Sequence, residues 1–241
     1  MVLMAYRRCF GFDVAGMKRT KLFITGTDTG VGKTVLTALL ARYLRQRGVR
    51  AAALKPVCSG GRGDVRALHA AMNGSLTLDE INPWHFRAPV APLLAARRER
   101  KRVKLAQVRA HVRAIQKRFD QVLIEGAGGV LSPLGESFDS CDLIAAWRAT
   151  PIIVCPNRLG AVNQVLLILA ALPPGAARRA RVVLMSSPKP DVSAKTNAGL
   201  LAEFFDAERI FSLPWLGRRL NMEKALKDPR VRRTLRTLTK A

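Results

Sequence analysis

The stretch that decides the fold is ITGTDTGVGKT, residues 24–34. Its glycines and the closing Gly32-Lys33-Thr34 have the make-up of a loop that grips phosphate. Five residues separate Gly26 from Gly32, however, where the usual phosphate loop has four. What surrounds the loop settles the reading. Leu22-Phe23-Ile24 reads as a strand, and Val35, Leu36, Leu39, Leu40, Tyr43 and Leu44 form a helical stripe that Gly48 closes. The turn therefore joins a strand to a helix N-terminus. There, successive backbone N–H groups and the helix dipole make an anion cradle. Lys33 can reach the β- and γ-phosphates, and the Thr34 hydroxyl can bind Mg2+. Gly30, Val31 and Val35 complete the expected nucleotide contacts.

A phosphate loop needs a carboxylate for its metal. Residues 120–125, DQVLIE, read as an apolar strand ending in Glu125, followed by Gly126, Ala127, Gly128 and Gly129. An acid at a strand's carboxyl end beside the loop stands where such a metal ligand belongs. The second strand ends at Lys55-Pro56-Val57-Cys58-Ser59-Gly60, with Asp64 shortly after, and Lys55 is expected to point into the same crevice. A lysine held beside phosphates and a developing anion supplies electrostatic stabilisation.

The rest of the chain repeats this alternation. Strand-like runs occur at 22–25, 49–54, 121–124, 152–155, 181–185 and 209–213. Helical patterns lie at 33–47, 64–73, 105–118, 140–148, 161–172 and 194–205. Apolar strands alternating with helices predict a single α/β domain of P-loop NTPase type. Its doubly wound, mostly parallel sheet would carry helices on both faces. Residues 17–217 form that domain. Residues 1–16 read as a short apolar and basic extension, either an early start or a targeting segment, and residues 218–241 read as a basic tail.

At 241 residues and 49% hydrophobic content the chain can fill a sizeable core. No apolar run approaches the roughly 20 residues of a membrane span, so a soluble protein is expected. The four cysteines, Cys9, Cys58, Cys141 and Cys155, lack metal-site spacing and fit reduced thiols in a cytoplasmic protein. The formal charge of +24 is unusual. Residues 97–118 carry ten Lys or Arg against Glu99, and residues 218–241 carry nine against Glu223 and Asp228. In the first block Leu105, Val108, Val112, Ile115 and Phe119 share one helical face, leaving Arg109, Arg113, Lys117 and Arg118 mostly on a solvated one. No aromatics interleave the charges as they do in single-strand binders, so nucleic acid is expected to bind only non-specifically, if at all.

Taken together and in order, GTDTGVGKT, KPVCSG with its following Asp, NPWHFRAPVAP, VLIEGAGG, NRLGAVNQ and LPWLG resemble the dethiobiotin synthetase family over roughly residues 20–217. The five-residue gap is that family's version of the loop. The resemblance implies a cyclo-ligase of biotin synthesis that closes a ureido ring from 7,8-diaminononanoate and CO2 with MgATP. One amine takes up CO2 as a carbamate, whose oxygen attacks the γ-phosphate, and the second amine then displaces phosphate. By the same resemblance Thr34, Asp64 and Glu125 ligate Mg2+, an ion that prefers oxygen. Lys33 and Lys55 neutralise charge, and Thr29 and Ser59 orient the diamine. The turn containing Leu159, Gly160 and Asn163 receives the substrate's distant carboxylate across a homodimer interface, and Ser186 and Pro214 border the base.

The chain departs from the family pattern in places. Ser186-Ser187 stand where Asn-Asp is frequent, which implies weak discrimination among nucleotides. Ala91 and Leu93 lie where Ser-Pro-His is commoner, Gly30 replaces an acid, and Ala161 replaces a frequent cysteine. A partitioning or positioning ATPase that binds DNA or membrane would share the fold and account for the charge, but such proteins usually carry a lysine early in the loop, where Asp28-Thr29 stand. A cobyrinate-type amidoligase would need a glutaminase domain for which 241 residues leave no room. The remaining alternative is a nucleotide-binding module without catalysis.

Overall fold

The computed structural model describes residues 21–240, so the expected extension over residues 1–16 and Cys9 lie outside the described residues. In chain order the strands are β1 (Lys21–Gly26), β2 (Ala51–Leu54), β3 (Val57–Ser59), β4 (Trp84–Phe86), β5 (Gln121–Glu125), β6 (Thr150–Pro156), β7 (Arg181–Met185) and β8 (Ile210–Leu213). The helices are α1 (Lys33–Gln46), α2 (Gly63–Ala71), α3 (Leu78–Ile81), α4 (Pro92–Arg98), α5 (Leu105–Gln116), α6 (Ser140–Trp147), α7 (Ala161–Ala171), α8 (Pro174–Ala177), α9 (Asn197–Ala202), α10 (Met222–Lys227) and α11 (Pro229–Leu238). Among the described residues six strands make one parallel sheet in the order β2-β5-β1-β6-β7-β8. The middles of the central strands are apolar because helices cover the sheet: Phe23, Ile24, Leu123, Ile124, Ile152 and Ile153 are fully buried. This is the α/β architecture expected.

The stripe on α1 buries Leu36, Leu39, Leu40, Tyr43 and Leu44, while Val35 stays half-buried at the helix start. On α5, Val108, Val112 and Ile115 face the core, and Arg109 and Arg113 face outward. Both faces follow from apolar spacing of three and four residues. The helix expected over 194–205 is broken. A 3-10 turn spans Val192–Lys195 and α9 follows at Asn197. Asp191 caps the turn by accepting from the Ala194 N–H, which favours the tighter winding.

The segment read as a basic tail contains two packed helices. Asp228 lies between them, and its side chain accepts from the Arg230 N–H to start α11. Val231, Leu235 and Leu238 are fully buried, and α11 packs against β8 and α1. The Arg181 guanidinium donates to the Leu238 carbonyl at 2.6 Å and the Lys240 carbonyl at 2.9 Å, so β7 holds the last turn of the chain. Positive charge does not make a tail when every third or fourth residue is a buried aliphatic.

Truncating Leu235 to Ala should therefore cost about 2–5 kcal/mol, the usual penalty for a buried leucine. Urea unfolding measures it. A loss under about 0.5 kcal/mol, typical of surface substitutions, would show that α11 contributes nothing to the domain.

Candidate active site

The carboxyl ends of β1, β2 and β5 converge because the three strands are neighbours and parallel. Ile24 pairs with Glu125 across β1 and β5, and Leu54 pairs with Ile124 across β2 and β5. The residues that follow these strand ends open into a single cleft of about 640 Å3. It lies at the carboxyl end of the sheet, where strand connections diverge to the two sides of β1.

The floor is the loop from Thr27 to Gly32. Gly32 caps α1 with φ at 102°, a backbone position that favours glycine, and a Cβ there would lie 3.0 Å from the Met185 methyl. No side chain caps α1, and no acid lies in its first turn. The contrast is α6, where Asp139 and Asp142 form a capping box. The free N–H groups of α1 thus face the cleft with their dipole uncompensated, the arrangement that takes an anion. Lys33 turns back over the loop and donates to the Asp28 carbonyl at 2.6 Å.

Four functional side chains meet above this floor. Thr34 Oγ1 donates to Glu125 Oε1 at 2.6 Å. Lys55 Nζ donates to the same oxygen at 2.9 Å and to Asp64 Oδ2. Glu125 is fully buried and the Lys55 side chain nearly so, whereas Asp64 is half exposed. Burial opposes the charge on Lys55, but the carboxylates of Glu125 and Asp64 overcome it and hold the ammonium above the usual lysine range. Lys33 goes the other way. Burial and then the nearby Lys55 ammonium lower it to about 8, against partial opposition from Glu125, Asp64 and Asp28.

Glu125 Oε2 is buried and has no hydrogen-bond partner. A carboxylate oxygen left unpaired in the interior is costly, and a cation relieves that cost. With Asp64 and the Thr34 hydroxyl, that oxygen forms the sparse all-oxygen set suited to Mg2+, which keeps several positions for water and phosphate. The residues therefore fit such an ion. Cys58 also lines the cleft, but burial pushes its thiol up and it donates to Asn82 Oδ1 at 3.2 Å, so it is not poised as a thiolate.

Of the residues singled out from sequence, Thr29, Gly30, Gly32, Lys33, Thr34, Val35, Lys55, Ser59, Asp64, Glu125, Ala127 and Gly128 line this cleft. Val31 and Gly126 lie beneath its wall. The Val31 side chain packs over Gly26, and a Cβ on Gly126 would meet Ser140 and Phe23. Ser186 and Pro214 lie beyond the cleft at the ends of β7 and β8, where the Ser186 N–H donates to the Leu213 carbonyl. Leu159, Gly160 and Asn163 surround the start of α7, outside the cleft as this one chain forms it. There the Leu159 N–H donates to Asp191 Oδ2 at 2.9 Å.

One contributor escaped the sequence reading. Asn82 is fully buried and donates to the Lys55 carbonyl at 2.8 Å and the Pro56 carbonyl at 3.2 Å. Together with the Lys55 N–H bond to the Ile81 carbonyl, it fixes the backbone that aims Lys55 inward. The signal available was the Asn82-Pro83 step after a short helix, a turn former that by itself says nothing about Lys55. Pro89, Val90, Ala91 and Pro92 form the opposite wall, and Ser59 donates to the Val90 carbonyl.

Residues 20–222 match a family model described as an AAA domain. The chain is 39% identical over 199 residues to the ATP-dependent dethiobiotin synthetase of Anaeromyxobacter dehalogenans, covering 80% of this chain and 89% of that one. It is 36% identical over 185 residues to the enzyme of that name from Akkermansia muciniphila, covering 76% and 87%. Among solved structures, the MinC:MinD cell division complex of Aquifex aeolicus matches with a TM-score of 0.57 at 15% identity, covering 91% of this chain and 95% of that one. The pNOB8 ParA bound to nonspecific DNA matches with a TM-score of 0.53 at 14% identity, covering 87% and 91%. These two likenesses are of fold. The sequence relatives, with their identity and coverage, carry the assignment: the chain belongs to the ATP-dependent dethiobiotin synthetase family.

Proposed function

We propose that this chain closes the ureido ring of dethiobiotin from 7,8-diaminononanoate, CO2 and ATP. The observation that carries the reading is the convergence of Lys55, Glu125, Asp64 and Thr34 directly above the uncapped N-terminus of α1. Two cations and a row of backbone N–H groups there face one small volume in which several anions must meet.

Mg2+, held by Thr34, Asp64 and Glu125, would neutralise the β- and γ-phosphates and fix their orientation. The chain's own groups do the remainder. The α1 N–H groups and Lys33 hold the phosphates of ATP, Lys33 exchanging its bond to the Asp28 carbonyl for phosphate oxygens. Lys55 lies at the carbamate side, where its ammonium offsets the charge brought together as the carbamate oxygen attacks the γ-phosphate. That attack breaks the bond to the β-phosphate and releases ADP; the second amine then adds to the carbonyl carbon, expels phosphate, gives its proton to solvent and closes the ring. Ser59 donates to the Val90 carbonyl, which leaves its oxygen lone pairs free to accept from an amine of the substrate. Thr29, exposed on the loop, offers a second hydroxyl. Rate in such a transfer comes chiefly from positioning and charge neutralisation.

A homodimer suits the same reading. Leu159 and Leu167 on and before α7, Val192 in the 3-10 turn, and Leu200 and Phe204 on and after α9 are exposed apolar side chains on elements that pack together. Covering them with a second copy would bring the start of α7, with Gly160 and Asn163, beside a partner's cleft.

Steady-state phosphate release tests the proposal directly. Release should require diamine and bicarbonate together, and Lys55→Ala should lower it at least about 10²-fold with the fold verified by circular dichroism. Duplex DNA should not accelerate it. Turnover stimulated by DNA and indifferent to the diamine would instead fit a partitioning-type ATPase.

Glu125→Gln and Asp64→Asn should each abolish most turnover. The half-exposed Asp64→Asn should leave its unfolding curve near that of the parent, while Glu125→Gln should stay folded by circular dichroism but lose stability from the buried ammonium it leaves behind. Near-normal activity at physiological Mg2+ in either variant would remove that residue from the metal site.

Lys33 gives a proton signature. Its free ammonium titrates at about 8, and phosphate favours the charged form, so nucleotide binding raises that value and takes up a proton. Calorimetry at about pH 8.5 in buffers of different ionisation enthalpy should show uptake of about three-quarters of a proton, and affinity should fall as pH rises past 8. Lys33→Arg, which stays charged, should abolish the uptake. No uptake by the parent protein would contradict the assignment.

A further inference from the structure

A second concavity lies at the other end of the sheet. It is a cleft of about 240 Å3 between α5, α6 and the start of β1, lined by Lys21, Arg109, Arg113, Gln116, Trp147 and Arg148 with two alanines. Lys21 opens β1 and the phosphate loop follows its last residue, so the two clefts are separated by roughly 16 Å of strand.

Its charge is one-sided. Among the described residues four cations line it and no acidic side chain does. Arg50 and Arg118 pair with Asp120 and Glu80, but none of these four pairs with a carboxylate among the described residues. Arg109 and Arg113 are one helical turn apart, a spacing at which like charges repel. Lys21 is half-buried, and its burial and then Arg113 lower its pKa. Arg148 stands at the end of α6 with φ at 48°, the left-handed position that glycine takes at least cost. That conformation closes α6, the Arg148 N–H donating to the Ala145 carbonyl and the Ala149 N–H to the Ile144 carbonyl, and it leaves the Arg148 side chain at the rim. Arranged this way the groups are unfavourable with each other and become favourable around a shared anion.

The volume limits the ligand. It falls below the roughly 300–1,000 Å3 typical of pockets for organic molecules, so a whole nucleotide is too large. Arginine's planar fork is matched to phosphate oxygens. We propose that this cleft is a second anion site, separate from the phosphate loop, which binds a small phosphoryl group. The group is either free, as pyrophosphate, or one phosphate of a nucleic-acid backbone. Trp147 and Gln116 complete the wall.

Metal-free titration calorimetry with pyrophosphate tests this in the full chain. The parent protein should show two sites. Lys33→Ala should remove the one at the phosphate loop and leave the other. The exposed pair Arg109→Gln/Arg113→Gln should weaken that other site at least about tenfold, with phosphate release at the first cleft unchanged. Arg232→Gln/Arg236→Gln, an exposed pair with the same spacing on α11, should have no such effect. Anisotropy with a labelled duplex of about 20 base pairs at about 150 mM salt separates the sources. A parallel loss of duplex affinity in the α5 pair identifies a backbone phosphate, and loss of pyrophosphate binding alone identifies the free anion. Undiminished pyrophosphate binding in the α5 pair, no second site in Lys33→Ala, or an equal loss in the α11 pair would overturn the proposal.

Discussion

The site depends on a buried ion pair. Lys55 leaves β2 and Glu125 ends β5, and the two meet at 2.9 Å with almost no solvent access. Neither charge is tolerable alone at that depth, because leaving one unpaired typically costs about 3–5 kcal/mol. The pair therefore fixes how β2 and β5 end relative to each other. Thr34, which also donates to Glu125, extends the constraint to α1 and the phosphate loop. Asp64 brings in the start of α2. Four chain segments are thus located by one carboxylate and one ammonium, and Asn82 keeps the lysine's backbone from shifting. Glu125 Oε2 is buried and without a hydrogen-bond partner among the described residues, which suits a cation there. A site built only for stability would not leave that oxygen without a donor.

Much of this was legible in the chain. The phosphate loop, the acid ending DQVLIE and the lysine after the second strand are local signals, because each depends on a strand end and a few residues after it. Their convergence follows from parallel pairing, since parallel neighbours release their carboxyl ends on one side. What escaped depends on distant partners. β3 and β4 are three residues each, too short for any periodicity, and they exist because they pair with each other. Asn82 acts on a backbone 27 positions away. α11 was obscured by its arginines. Val231, Leu235 and Leu238 repeat at helical spacing, and a reading led by net charge passes over them.

The charge separates into parts with different physical meanings. Some cations serve folding: Arg50 clamps Asp120 and Arg181 binds the last carbonyls of α11. Two, Lys33 and Lys55, are buried at the cleft and shift in opposite directions: burial and then the Lys55 ammonium lower Lys33, whereas Glu125 and Asp64 outweigh burial at Lys55 and raise it. Four converge on a concavity that contains no acid among the described residues. The formal excess of +24 is therefore not one property of the surface. The start of α7 is different again. Its Gly160 cap has no side-chain partner, and apolar Leu159 stands 78% exposed beside it.

The central claim is that Glu125 and Asp64 form a cation site whose charge Lys55 already partly offsets. Magnesium titration of Lys55→Met followed by calorimetry, with the parent protein alongside, tests this most directly. Removing the ammonium deletes a like charge next to the metal position, so the account predicts tighter Mg2+ binding in the variant. Binding that is unchanged or weaker, in a variant shown to be folded, would contradict it.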